Sequence, residues 1–201
     1  MRSRRSLTVA LAALTTMGTL ASLAAGPALA QPAAAAPQVL VPAKSEVTFV
    51  AKQLGVPLQG RFKAFQVQSA FDPKALATSK IAFSLDLGSV ALNADADREL
   101  SKPEWFSTAK FPKASFQSSA IKALGGGKFE VAGKLTLKGQ VHDLVVPVQL
   151  SQAQGLSTAT GSFVLKRLDF KVGEGDWADA SIVANDVQVS FKLVLQGVPA
   201  L

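Results

Sequence analysis

Apolar side chains recur at every second position in short runs along this chain. Ile81, Phe83, Leu85 and Leu87 alternate with Ala82, Ser84 and Asp86. Phe129, Val131, Gly133, Leu135 and Leu137 alternate with Glu130, Ala132, Lys134 and Thr136, and Val187, Val189, Phe191, Leu193 and Leu195 with Gln188, Ser190 and Lys192. A period of two puts all the apolar residues of a run on one face of an extended chain, so each run reads as a half-buried strand. Weaker runs at 45–53, 60–70, 113–122, 141–150 and 156–167 bring the expected strands to eight, punctuated by Gly, Pro and Asp. Eight strands close into a barrel just wide enough to fill with side chains or to hold one ligand, and closure removes the exposed edges. A β-sandwich has the same periodicity. One helical stretch is expected, at 93–107 with a break near Ser101: Asn93 is its cap, and Ala94, Ala96, Arg98 and Leu100 suit a helix. Ser101 and Glu104 have capping-box spacing, with Pro103 in the first turn, and Phe111-Pro112 ends the segment.

The N-terminus changes the compartment. Arg2, Arg4 and Arg5 precede an uncharged apolar run that ends in Ala28-Leu29-Ala30, the order of a secretory signal peptide with its cleavage site. The expected organisation is a signal peptide at 1–30, a flexible Ala/Pro tail at 31–38 and one domain at 39–201, with a periplasmic location. Sec and twin-arginine export fit the three arginines equally well. Losing those arginines lowers the formal charge from +7 to +4, and no block of like charge points to nucleic acid. The chain has no cysteine, which excludes disulfides, thiol chemistry, thiolate metal sites and a lipobox anchor.

A motif then narrows the fold. Leu100, Trp105, Phe106, Ala109, Phe111-Pro112, Phe116 and Ser118 are followed by Gly133, Leu135, Thr136, Leu137 and Gly139. The pattern extends from about Val47 through Gly60-Arg61-Phe62 to Arg167-Leu168-Asp169-Phe170 and the closing run near Phe191. This set resembles the YceI-like family of periplasmic lipid-binding proteins. The resemblance implies an eight-stranded antiparallel lipocalin-like barrel that holds a long apolar ligand, typically an isoprenoid, with the helical segment beside its mouth. Two positions depart from the family pattern: Glu99 stands where a histidine is usual, and Lys171 where a glycine is common.

Catalysis has little to work with. His142 is the one histidine and there is no tyrosine, so neither a Ser-His-Asp triad nor a histidine metal site is readily assembled. We expect His142 at a solvent-facing strand start. Asp95, Asp97 and Glu99 read as the exposed face of the short helix. Asp169, Glu174, Asp176 and Asp179 lie in a Gly-rich loop without EF-hand spacing, where Gly173 and Gly175 allow tight turns beside Trp177. No metal and no cofactor is expected.

Aromatic rings carry the strongest chemical signal. Twelve phenylalanines and two tryptophans without a tyrosine make an aromatic surface almost free of hydroxyls, suited to a dry interior. Such rings fill a solid core as readily as they line a cavity. The resemblance favours a cavity, with candidate lining Phe49, Phe62, Phe83, Leu85, Trp105, Phe106, Phe111, Phe116, Phe129, Phe163, Phe170, Trp177 and Phe191. Arg98 and Arg167 are candidates for a quinone or phosphate head group, the alternative for each being a surface salt bridge with Glu99 or Asp169. The leading expectation is a non-enzymatic carrier of an isoprenoid, an isoprenoid quinone or another long-chain lipid. The competing one is an accessory protein of envelope stress or electron transport that acts through an inner-membrane protein without obligatory lipid.

Overall fold

The period-two runs form strands whose apolar face turns inward. A computed structural model describes residues 37–201; the expected signal peptide and tail residues 31–36 lie outside them. In chain order the strands are β1 (Val39–Leu40), β2 (Glu46–Gln53), β3 (Val56–Phe62), β4 (Phe65–Ala70), β5 (Lys80–Asp86), β6 (Val90–Ala91), β7 (Lys113–Gly125), β8 (Lys128–Leu137), β9 (Gln140–Ala153), β10 (Leu156–Lys166) and β11 (Asp186–Gln196). One helix, α1 (Ala94–Leu100), lies between β6 and β7. All strands join a single curled antiparallel sheet in the order β4-β5-β7-β8-β9-β10-β11-β2-β3-β6, with β1 beside β11.

The described residues thus form eleven strands where eight were expected. β1 and β6 are two residues each, too short for alternation to register. The third addition comes from the run at 60–70, which breaks at Lys63-Ala64. Ser89 takes up both N–H groups of that corner, the Lys63 amide on its carbonyl (3.1 Å) and the Ala64 amide on its hydroxyl (3.0 Å). β3 then continues along β2, while β4 turns to β5. Where the two hairpins part, a polar groove of about 440 Å³ opens, bordered by Arg61, Lys63, Asp86 and Lys113.

At the other end Gln38 closes the same seam. Its amide N–H donates to the Ser69 carbonyl at 2.8 Å. Its side chain donates to the Phe71 carbonyl (3.0 Å) and accepts from the Phe71 amide (2.9 Å) and the Ser69 hydroxyl. Expected as the last tail residue, Gln38 is 5% exposed and serves as an extra peptide unit between β1 and β4. Replacing it with alanine strands three buried polar groups, and we expect a loss of about 2–4 kcal/mol in urea unfolding.

The wall has one further break. The β9–β10 ladder stops at Gly161 opposite Val148, next to Pro147, which has no N–H to donate. Beyond it β9 keeps β8 and β10 keeps β11.

α1 begins where expected, with the Asn93 side chain accepting from the Ala96 amide at 2.9 Å. It does not resume after Ser101. That hydroxyl donates back to the Arg98 carbonyl (2.7 Å), closing α1 instead of starting a second helix. Residues 101–110 run as successive turns, with Ser107 at a left-handed φ of 51°. Two apolar clusters plug the ends of the barrel. Leu85, Leu87, Trp105, Leu137, Phe170, Val172 and Val183 close the end carrying α1 and the 167–183 loop. Phe71, Phe129 and Leu150 close the other.

Candidate functional site

Between the two plugs lies a cavity of about 280 Å³ with a wholly apolar surface. Its volume is roughly twice that of the ~150 Å³ apolar cavities that stay dry and take up benzene. The inward positions of every long strand face it in the register that the alternation predicts, β3 contributing Phe62 alone. β5 supplies Ile81, Phe83 and Leu85, β8 Val131, Leu135 and Leu137, and β11 Val187 through Leu195 at every second residue.

Phenylalanines set the shape of the space. Phe49, Phe62, Phe83, Phe116, Phe163 and Phe191 point inward yet are only half-buried, since a face of each ring borders the cavity. A solidly packed core would bury them fully. Three of the rings lie against glycines. Phe49 covers Gly60, Phe116 covers Gly133 and Phe191 covers Gly161, each so closely that a Cβ on the glycine would collide with the ring. Such pairing of aromatic and glycine lays the ring flat along the wall and leaves the centre of the barrel open.

Of the candidate lining, Phe49, Phe62, Phe83, Leu85, Trp105, Phe106, Phe116, Phe163 and Phe191 border the cavity. The others lie elsewhere. Phe129 packs edge-on to Phe71 at 5.2 Å in the far plug. Phe170 is buried in the near plug against His142, at 4.8 Å. Trp177 packs against Trp105 with the rings tilted at 50° and 5.4 Å apart, and Phe111 lies over Gly139. Beyond Leu85, the aliphatic part of the wall is absent from the candidate lining: Val47, Val67, Leu144, Val146, Val148 and Val189 among others. The signal that finds them is the alternation that had already defined the strands.

Arg167 is not a surface residue. It is 2% exposed and forms no pair with Asp169. Its Nε donates to Ala184 O (3.1 Å), Nη1 to Val172 O (2.8 Å) and Gly173 O (3.0 Å), and Nη2 to Trp177 O (2.6 Å) and Val183 O (2.7 Å). All five donors of the guanidinium are thus spent on backbone carbonyls that would otherwise be orphaned. Burial pushes its pKa below the ordinary arginine value, and no carboxylate offsets this. Lys138 fastens the same end: its Nζ, nearly enclosed, reaches Glu104 O (3.2 Å), Lys171 O (2.6 Å) and Glu174 Oε2 (2.8 Å).

Lys171 stands at the position where the resemblance leads one to expect a glycine. Its φ of 56° and ψ of 31° lie in the left-handed region, so the backbone keeps the shape that glycine would give.

Trp105 is 7% exposed, and its ring lies 5.8 Å from the Arg167 guanidinium. Among the described residues its Nε1 is the one buried side-chain polar atom without a hydrogen-bond partner. An orphan donor of this kind costs about 1–3 kcal/mol.

Arg98 is exposed and pairs with Asp95, while Glu99 pairs with Lys102. His142 is exposed as expected at the start of β9, and its Nε2 lies 3.0 Å from Asp169 O, tying β9 to the 3₁₀ turn Arg167–Phe170. Ser181, through its hydroxyl and amide, holds the Asp179 carboxyl below its usual pKa. No group of three or more metal-ligating side chains occurs among the described residues.

A curled antiparallel sheet around an apolar interior, with one short helix at its rim, defines an all-β class of half-barrels. The chain belongs to the YceI-like domain family, which matches residues 39–195. BcnA of Burkholderia cenocepacia is similar in structure, with 40% identity and a TM-score of 0.75 over 78% of this chain and 99% of that one. A polyisoprenoid binding domain from Saccharophagus degradans, implicated in plant cell wall breakdown, shares the fold at 18% identity, with a TM-score of 0.62 over 80% of this chain and 98% of that one. A UPF0312 protein of Vibrio cholerae is 30% identical over 106 residues, or 52% of this chain. The matched part spans 56% of that relative's length.

Proposed function

We propose that this protein is an exported, non-enzymatic binding protein that holds the apolar chain of a lipid, an isoprenoid or isoprenoid quinone, inside its barrel in the periplasm. The observation that carries this reading is the cavity of about 280 Å³ with an apolar surface, bordered by inward phenylalanines that remain half-buried. Each CH₂ that leaves water for such a space contributes roughly 0.8 kcal/mol, so a chain binds without any polar contact. The polyisoprenoid binding domain that shares the fold supports an isoprenoid cargo, and the N-terminal Arg-rich, apolar, Ala-Leu-Ala order supports export. The turns at 101–110 and the loop at 167–183 lie across one end of the barrel and act as its gate.

The test is native mass spectrometry with solvent extraction of the protein purified from the periplasm of an exporting host. A defined prenyl lipid at near one-to-one ratio is the expected result. A protein that arrives empty and refuses added prenyl lipid would overturn the reading in favour of a protein-partner role.

A further inference from the structure

β4 ends the sheet, with a strand on one side only. Ala64 turns its backbone toward β5, accepting from the Asp86 amide at 2.9 Å, and Gln66 and Gln68 follow at the period of two. The N–H and C=O groups of Phe65, Val67 and Ser69 therefore point the other way, into the seam. Gln38 takes up the Ser69 position, but Val39 and Leu40 then leave to pair with Gln196 and Leu195 of β11. No strand among the described residues pairs with Phe65 or Val67 on that side. The edge thus receives one residue of a neighbouring strand and stays open over the next two positions. The polar groove of about 440 Å³ lies at this open end, bordered by Phe65 and Gln66. Val47, Phe62 and Phe65 give it an apolar patch, and Arg61, Lys63 and Lys113 give it cations. All three cations are exposed, and none joins an ion pair among the described residues. Of the carboxylates in the groove, Asp86 is engaged by the Gly88 amide (2.9 Å), and Glu46 stands opposite Lys192 of β11. An open strand edge, an apolar patch and unpaired cations together match an extended peptide with acidic side chains. A phosphate would meet the cations but leave the Phe65 and Val67 carbonyls without a donor.

We propose that this seam is a docking site for an extended acidic segment of a partner protein, which adds to the free edge of β4 at Phe65 and Val67. Its backbone continues the pairing that Gln38 begins. Its alternate apolar side chains lie on Phe62 and Phe65, and its carboxylates face Arg61, Lys63 and Lys113. The site does not depend on lipid in the cavity, so it stands or falls separately from the binding reading above.

The probe is the capped pentapeptide Asp-Val-Asp-Val-Asp, whose valines have the spacing to face Phe65 and Val67 across a strand pair. In ¹⁵N-labelled protein, the expected result is a downfield shift of the Phe65 and Val67 amide protons at millimolar peptide. Lys-Val-Lys-Val-Lys should leave both unmoved. So should the acidic peptide N-methylated at its valines, which keeps the charge but lacks the ladder donors. Arg61→Ser combined with Lys113→Ser should weaken the acidic peptide about three- to tenfold, the loss of two exposed ion pairs, with an unchanged urea midpoint to show that the variant folds. Silence of both amides, or an equal response to the basic or the N-methylated peptide, would overturn the proposal. The same shifts from inorganic phosphate would also overturn it and leave the groove a simple anion site. Shifts that grow with protein concentration in the absence of peptide would overturn it in favour of a second copy of this chain.

Discussion

Arg167→Leu loses about 3–5 kcal/mol of stability, and the damage begins at the α1 end of the barrel. The guanidinium donates to Val172, Gly173, Trp177, Val183 and Ala184, all on the segment that crosses that end. Leucine fills part of the volume but leaves five carbonyls without a donor, several of them buried, and each group stranded in this way costs on the order of 1–3 kcal/mol before relaxation. The loop relaxes by opening, which caps the loss. Both tryptophans report on this end, so urea unfolding followed by their emission measures the change, and limited proteolysis places the first cuts within 172–184. Arg167→Lys keeps the charge but brings three donors on one nitrogen in place of a five-donor fork, so it recovers a minor part of the loss. A midpoint that barely moves in Arg167→Leu would mean that the loop holds itself by packing alone.

Gly60→Ala abolishes most lipid binding while leaving the fold intact. Gly60 is paired in register with Phe49 across β2 and β3, and the added methyl meets atoms of the Phe49 ring with no backbone atom among its nearest contacts. The backbone at Gly60 is not in the left-handed region, so alanine is accepted there without strain. Phe49 must therefore leave the wall, and the open direction is the cavity. A benzene ring occupies a cavity of ~150 Å³, about half of the 280 Å³ present. We expect affinity for a fluorescent prenyl probe to fall more than tenfold, with a stability change within about 1.5 kcal/mol. Gly60→Ala combined with Phe49→Ala removes the displaced ring and restores binding, which a general loss of fold would not allow. Gly133→Ala and Gly161→Ala lack that freedom. There the methyl also strikes the Gln117 or Pro147 carbonyl, so those variants lose stability as well.

Strand positions and their inward faces were legible because the sheet is amphipathic: polar outside, apolar inside, with little exception along β5, β8 and β11. The corner at Lys63-Ala64 left a trace too, since Phe62 and Phe65 both belong to the near cluster at a spacing of three, which one unbroken strand does not permit. What the sequence could not reveal was how individual groups are spent. Ser101 has the spacing to start a helix and ends one, because Arg98 O is closer to hand than a downstream amide. Arg167 beside Asp169 reads as a surface pair, yet a 3₁₀ turn sends the guanidinium inward to carbonyls up to 17 residues away. Nor does alternation distinguish a hollow barrel from a solid one. That depends on three phenylalanines lying over glycines of neighbouring strands, a relation of register that no local pattern records.

The placement of the first strands fixes the order in which this molecule can be finished. β1 and β2 both pair with β11, and the Ser45 hydroxyl accepts from the Val194 amide across 149 residues of chain. Consecutive hairpins from β7 to β10 can pair as soon as they are made, but the seam beside β11 waits until Asp186–Gln196 has been made. Contacts of such long separation make for slow folding, because the loop entropy is lost before the pairing repays it. Until β11 arrives, the inward valines and phenylalanines face solvent. Truncation at the C-terminus therefore removes the neighbour of β2 and β10 together, and a nascent chain halted before Asp186 has a sheet but no enclosed interior.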